Sequence, residues 1–172
     1  MILVEGFSDQ IALETLARRL GADVDVQPIG GAHAIRAALA RYPDASGGLC
    51  DEREWPIWQR ALAKVGRSED GFHVCRTDLE DELIRAHGVE SVEKVLDENG
   101  DLATFRAFQN QPAWRGRPVD AQLHRWLGSS DGRHLRYPRL LVDALPLDHM
   151  PRPLLAVLET ATAAQARPSG SD

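Results

Sequence analysis

The sequence predicts an α/β fold: a four-stranded parallel sheet flanked by helices, plus a helical C-terminal extension. Three observations predict it. Over residues 1–88, short apolar runs alternate with helical stretches, the pattern of right-handed βαβ units. Strand signals stop at Val89, and beyond it apolar positions recur at helical spacing. The chain has 172 residues, 43% of them hydrophobic and 27% charged. That describes one soluble domain with enough apolar surface to bury a core without staples.

Ile2-Leu3-Val4 reads as a short buried strand, because two of the three residues are β-branched. Glu5 stands at its end and Gly6 permits a sharp turn. Ser8 or Asp9 is placed to cap a helix running to about Leu20, where Gly21 stops it. Val24 to Ile29 alternates like a second strand, ended by Gly30-Gly31. A turn suits that glycine pair better than a phosphate cradle. Ala32 to Tyr42 is helical, with His33 at its start solvated or structural. Gly47 to Cys50 is a weak third strand running into Asp51. A helix follows from Glu54 to Val65, with Pro56 tolerated in its first turn. Gly71 to Cys75 is the fourth strand, leading into a helix from Thr77 that Gly88 closes.

Beyond the strands, helices are predicted around Val92 to Leu96, Leu102 to Phe108, Gln122 to Leu127, Leu135 to Leu145 and Leu154 to Ala164. Tyr137-Pro138 should disturb the start of the fourth of these. The chain thus divides into an α/β core at residues 1–88 and a helical extension packed on it at 89–165. A polar tail at 166–172 is expected to be disordered.

A net charge of −6 rules out a general polyanion binder, so any nucleic-acid contact is local or metal-mediated. Cys50 and Cys75 sit in apolar runs without a Cys/His cluster. They are expected to be buried free thiols in a reducing cytosol, and neither a disulfide framework nor a zinc site is expected. No apolar run has membrane-spanning length and no charged stretch precedes the first strand. A cytoplasmic protein with no membrane partner and no signal peptide is therefore expected. Opening directly on a core strand is also compatible with trimming from a longer parent.

Between Arg106 and Arg139 stand seven arginines (106, 115, 117, 125, 133, 136 and 139) against two acids, Asp120 and Asp131. Trp114, Trp126, His124 and His134 are interleaved. Arginine among aromatics is the composition of a phosphate-contacting surface. The plain alternative, preferred for most of them individually, is that they pair with acids of the N-terminal half.

The chemistry is carried by acids at strand ends: Glu5, Asp51, and Asp78, Glu80 and Glu82 after the fourth strand, with Asp9 in the first helix. A single such Glu is ordinarily solvated, and an Asp in a first turn ordinarily serves the helix dipole. Recurrence changes that, because parallel strand ends share one edge, where α/β sheets bind ligands. Converging carboxylates repel unless they share a cation or proton. Oxygen-only ligands select Mg²⁺, Mn²⁺ or Ca²⁺. Two such ions can stabilise the attacking and leaving oxygens of a phosphodiester displacement.

Val4-Glu5-Gly6-x-Ser8-Asp9, Pro28-Ile29-Gly30-Gly31, Gly48-Leu49-Cys50-Asp51 and Asp78-Leu79-Glu80-Asp81-Glu82-Leu83 together resemble the Rossmann-like TOPRIM fold. They are most similar to its OLD (overcoming-lysogenization-defect) nuclease branch. Phe105-Arg106-Ala107-Phe108-Gln109 and Gly132 to Tyr137 resemble that branch's helical C-terminal part. The resemblance implies a metal-dependent DNA endonuclease using Mg²⁺ or Mn²⁺, two ions, with RNA left open as a substrate. By position Glu5 and Asp9 match the first acidic pair, Asp51 the first acid of Asp-x-Asp, and Glu80 the acid opening the next helix. Asp9, Asp51 and Glu80 are the expected ligands, with Glu82 counted beside them. Glu5 is a ligand or a general acid or base. Arg133, with His134 second, is the clamp for phosphate charge.

Three departures stand out. Arg53 occupies the second Asp position of Asp-x-Asp, with Glu54 a substitute from one residue further on. Arg133 and His134 stand where the branch usually has Lys. No Gly-x4-Gly-Lys-Ser/Thr loop is present, so the chain reads as a stand-alone TOPRIM unit or a fragment, with any ATPase a separate partner. Arg53 motivates the alternative function, a degenerate, non-catalytic TOPRIM module binding nucleic acid or a protein. Topoisomerase-like strand transfer lacks support, since Tyr42 and Tyr137 lie in helical contexts. Oligomeric state is not legible.

Overall fold

Ile2, Leu3 and Val4 form β1 (Ile2–Val4) and are wholly buried, as a strand covered on both faces requires. The structure, a computed structural model, describes residues 1–129 and 132–166. The sheet order is β2-β1-β3-β4, with β2 (Val26–Pro28), β3 (Gly47–Asp51) and β4 (Phe72–Cys75), and every pair is parallel. The crossovers are α1 (Phe7–Leu20), α2 (Ile35–Arg41), which follows a 3₁₀ turn at Ala32–Ala34, and α3 (Trp55–Lys64). The second strand is shorter than expected. Its Pro28 has no N–H to give and lies on the sheet's edge, where that loss is tolerated.

Strand alternation sorts the core into two layers. Leu3, Cys50 and Phe72 face α2 and α3, while Ile2, Val4, Leu49 and Cys75 face α1 and the helices of the C-terminal half. Both cysteines are buried free thiols. The weak strand signal at Gly47-Gly48 has a packing cause. A Cβ at Gly48 would lie 2.6 Å from the Trp58 ring and 2.9 Å from the Leu3 carbonyl oxygen. Only glycine leaves the Trp58 ring room against β3.

Among the described residues six further α-helices follow: α4 (Leu79–His87), α5 (Val89–Glu98), α6 (Leu102–Gln109), α7 (Val119–Leu127), α8 (Arg133–Ala144) and α9 (Arg152–Ala166). α8 packs along α1, and α9 lies on β3 and β4. Arg19 of α1 donates to the carbonyls of Val142 and Leu145 at the C-terminal end of α8. Phe105, Trp126 and Tyr137 tie α6, α7 and α8 through edge-to-face contacts at 5.7 and 5.6 Å. One apolar cluster draws on both halves of the chain, from Leu13 to Trp126 and Val157.

Pro138 does not disturb the start of α8, and the helix runs through it. Tyr137 and Pro138 are both buried, and the Tyr137 hydroxyl donates to Asp101 at 2.6 Å. Tertiary packing outweighs the local bias here. No described helix is long and apolar enough to cross a membrane. The tail beyond residue 166 lies outside the described residues.

Candidate metal and active site

β1 and β3 are neighbours at the centre of the sheet, so Glu5 and Asp51 emerge side by side. Glu5 accepts a hydrogen bond from the Asp51 N–H at 3.1 Å. Its own carbonyl accepts from Gly30 and Gly31 at 3.1 and 2.9 Å, so the glycine pair is a turn under the site. α1 begins directly above. Its cap is Gly6, and neither Ser8 nor Asp9 takes that role. Asp9 sits in the first turn and reaches back to accept from the Gly6 N–H at 3.0 Å, which fixes its carboxylate towards the sheet edge. Only 8% of Asp9 is exposed. On the far side, β4 leads through Thr77, whose φ of 64° is unusual for a β-branched residue, into α4. Asp78 caps α4 by accepting from the Asp81 N–H at 2.9 Å, and Glu80 follows in the first turn.

Four of these acids share one electrostatic environment. Burial pushes the Asp51 carboxyl up to about 8, helped by the charges of Asp9, Glu5, Asp78 and Glu80. Burial likewise raises Asp9 to about 7 against the opposing Gly6 hydrogen bond, and Glu80 and Glu5 raise it further. Glu80 is raised by burial and by Asp78, while His124 and His134 pull it back. Glu5 is raised by burial, lowered by the Asp51 N–H and raised by Glu54. Glu54 therefore acts on Glu5 from the position after Arg53. Arg53 acts instead on Asp78.

Glu82 is placed differently. It is 7% exposed, and its carboxylate accepts from the Arg76 N–H at 2.8 Å and pairs with Arg85 at 2.9 Å. Those contacts close the β4–α4 turn and leave Glu82 engaged by Arg76 and Arg85. Among the described residues, no three His, Cys, Asp or Glu side chains stand, as placed, where they could hold a metal ion. The donor chemistry still suits a hard cation: four carboxylates whose mutual repulsion only a proton or a cation relieves.

The opposite wall is basic. A cleft of about 390 Å³ is lined by Asp78, Glu80, His124, Arg125, Gly128 and His134. His124 Nε2 lies 2.6 Å from Asp78, and that contact raises the imidazole and, against burial, lowers the carboxyl. Sequence reading noted both residues but not their pairing. Asp78 three residues before Asp81 at a helix start is a legible capping pattern. Nothing local points from it to His124. Arg133 lies over the Trp126 ring at 4.2 Å, donates to Ser129 at 3.1 Å, and lines a pocket with Glu80 and His134. The other arginines divide. Arg106 pairs with Glu93 and Arg136 with Asp101, both acids of the helical half and not of the N-terminal half. Arg115 and Arg117 donate to backbone carbonyls of Asn110 and Ala113.

No family model matches the sequence, and no curated protein matches it. Solved structures do. The C-terminal region of the Burkholderia pseudomallei OLD protein is 18% identical. The match covers 96% of this chain and 97% of that one, with a TM-score of 0.65. Two structures of the C-terminal region of the Xanthomonas campestris pv. campestris OLD protein, phased with mercury and with iodine, are 19% and 20% identical. They cover 95% of this chain and 95% and 94% of their own, with TM-scores of 0.62 and 0.60. The resemblance drawn from the motifs is thus met by the fold. This chain is built, over nearly its whole length, as the C-terminal regions of OLD proteins are.

Proposed function

We propose that this protein is a metal-dependent nuclease that hydrolyses DNA phosphodiester bonds at the carboxylate edge of its sheet. The observation that carries the proposal is four carboxyls at one strand-end edge, Glu5, Asp9, Asp51 and Glu80, each raised first by burial, with Glu5 and Glu80 acting on Asp9 and all three acting on Asp51. Groups held out of water at that cost to their ionised forms suit a site that a cation completes. Glu5, Asp9, Asp51 and Glu80 are the residues to hold Mg²⁺ or Mn²⁺, and two ions is the expected number. Glu82 is left out because Arg76 and Arg85 already engage it. The ions, when bound, supply Lewis-acid charge at the attacking and leaving oxygens. To hold an ion, Glu5 and Asp9 would turn from the Asp51 and Gly6 N–H groups from which they accept. Arg133 and His134 add positive charge for the phosphate on the other side of Glu80. His124, held by Asp78, sets the polarity of the cleft between them.

Plasmid nicking tests this directly. Nicking is expected with Mg²⁺ or Mn²⁺, none in chelator, and at least a roughly hundredfold loss in Asp51→Asn, beyond the effect of disturbing a ligand's outer partners. Nicking that survives both chelator and the substitution belongs to a contaminant. Arg53 at an acidic position favours a second reading, a non-catalytic module. A protein that binds Mn²⁺ yet never nicks would establish it.

A further inference from the structure

Beside the carboxylate cleft lies a second one, of about 400 Å³, whose walls include Phe108, Trp114, Arg125, Trp126, Ser129 and Arg133. Its size falls in the range of pockets that hold small planar ligands. The two clefts share Arg125 as a common wall. No acid lines the second one among the described residues, although the protein as a whole is acidic. Its surfaces are flat and π-rich. Phe108 and Trp114 stand with ring centroids 5.2 Å apart and tilted by 30°. The Arg133 guanidinium covers Trp126 at 4.2 Å, and Arg117 lies 4.9 Å from the Trp114 ring. Trp114 sits half-buried in the α6–α7 connection, and Arg125 is exposed on α7.

We infer that this cleft takes an unpaired nucleotide of the DNA strand that enters the carboxylate site. The inference rests on the nuclease reading and names its substrate class. Aromatic rings and guanidinium planes are the surfaces on which unstacked bases lie, and every base has a π face to offer them. A paired base shows its faces only to its neighbours in the stack, so a duplex has nothing to insert. Charge agrees: Arg125 and Arg133 flank the cleft and supply the contacts a backbone phosphate needs. Continuity agrees as well, since a strand leaving the carboxylate edge past Arg125 meets this cleft next. The protein therefore favours DNA with a single-stranded end, gap or flap over blunt duplex.

Fluorescence anisotropy in chelator, where DNA stays intact, tests this with two labelled hairpins, one carrying a single-stranded tail and one blunt. The wild type is expected to bind the tailed hairpin more tightly, and the tail to quench tryptophan emission. Trp114→Ala should weaken tailed binding by roughly tenfold, the size of one lost base–aromatic stack, with little change for the blunt hairpin. Trp114→Phe should restore most of it. Should Trp114→Ala fail to fold, Arg125→Ala, an exposed change, should lower the preference for the tail. Equal binding of both hairpins by the wild type, or a preference untouched by Trp114→Ala and Arg125→Ala, overturns the inference. Nicking by the wild type is read separately. Tail preference without Mn²⁺-dependent nicking keeps the cleft and ends the nuclease reading. Nicking without tail preference does the reverse.

Discussion

Asp51 ends a buried strand with its carboxyl largely out of water, and neighbouring carboxylates raise it further, to about 8. The consequence for stability has a definite sign. Below its ordinary value of 3.8 the group is protonated in both the folded and unfolded states, and it contributes nothing. As pH rises from there towards about 8, the unfolded chain gives up the proton more readily, so stability falls through this window. Asp9 acts in the same direction up to about 7. His124, whose imidazole is raised by Asp78, also loses its contribution as pH rises through its folded value. In chelator, the wild type should therefore melt lower at pH 8 than at pH 5. Asp51→Asn keeps the shape without the charge. It should melt higher than wild type at pH 8, by about 2–4 °C for each kcal/mol of repulsion removed, and the two curves should converge towards pH 4. Parallel curves at all pH values would mean that Asp51 does not face the other acids. At this scale the sequence was informative about which acids lie on the edge, because strand ends are legible from apolar runs. Glu82 shows the limit. Its place in the row of acids is visible, but Arg76 and Arg85, which engage it, are reached only through the turn geometry.

At the scale of elements, β3 was the faintest strand in the sequence, because Gly47-Gly48 carries no β propensity. The structure supplies the reason that propensity cannot. Trp58 of α3 lies against the strand, and a methyl group at Gly48 would meet ring, carbonyl and Phe72 all below 3.0 Å. Gly48→Ala should destabilise the fold by about 1–3 kcal/mol through overpacking, read as a lower urea midpoint. Because β3 delivers Asp51, Mn²⁺, which should raise the wild type's melting temperature by binding only the folded state, should raise this variant's by less. An unchanged midpoint would mean that Trp58 moves freely aside. The helices were legible wherever apolar spacing and a closing glycine agreed, as in α1 with Gly21 and α4 with Gly88. They were not legible where tertiary contacts decide. Tyr137 bonded to Asp101 holds Pro138 inside α8, and Asp101 is 36 residues away in sequence.

Over the whole molecule, an acidic chain gathers a run of seven arginines between Arg106 and Arg139, on and between α6, α7 and α8. Composition alone located it, but not which arginines are committed within the fold. Arg136 donates to Asp101 at 2.8 Å and to Asn99, whereas Arg125 forms no ion pair with a described residue and lines both clefts. The salt dependence of DNA binding should divide accordingly. Arg125→Ala should flatten the log–log slope by roughly one unit, while Arg136→Ala should leave the slope alone and cost at most about 1 kcal/mol of stability, as exposed pairs do. Equal slope changes would place Arg136 on the DNA. The basic wall and the acidic edge meet at Glu80, which His134 and His124 face from α8 and α7. That meeting joins a residue of the α/β core to residues of the helical half, and no local pattern announces it.

The central claim is that Glu5, Asp9, Asp51 and Glu80 form one ion site. Anomalous scattering from crystals of the whole chain grown with Mn²⁺ tests it most directly. The expected result is manganese density bounded by Glu5, Asp51 and Glu80, with Asp9 turned towards it, and no such density in Asp51→Asn. Manganese bound only elsewhere on the protein, or density at the sheet edge that survives Asp51→Asn, would contradict it.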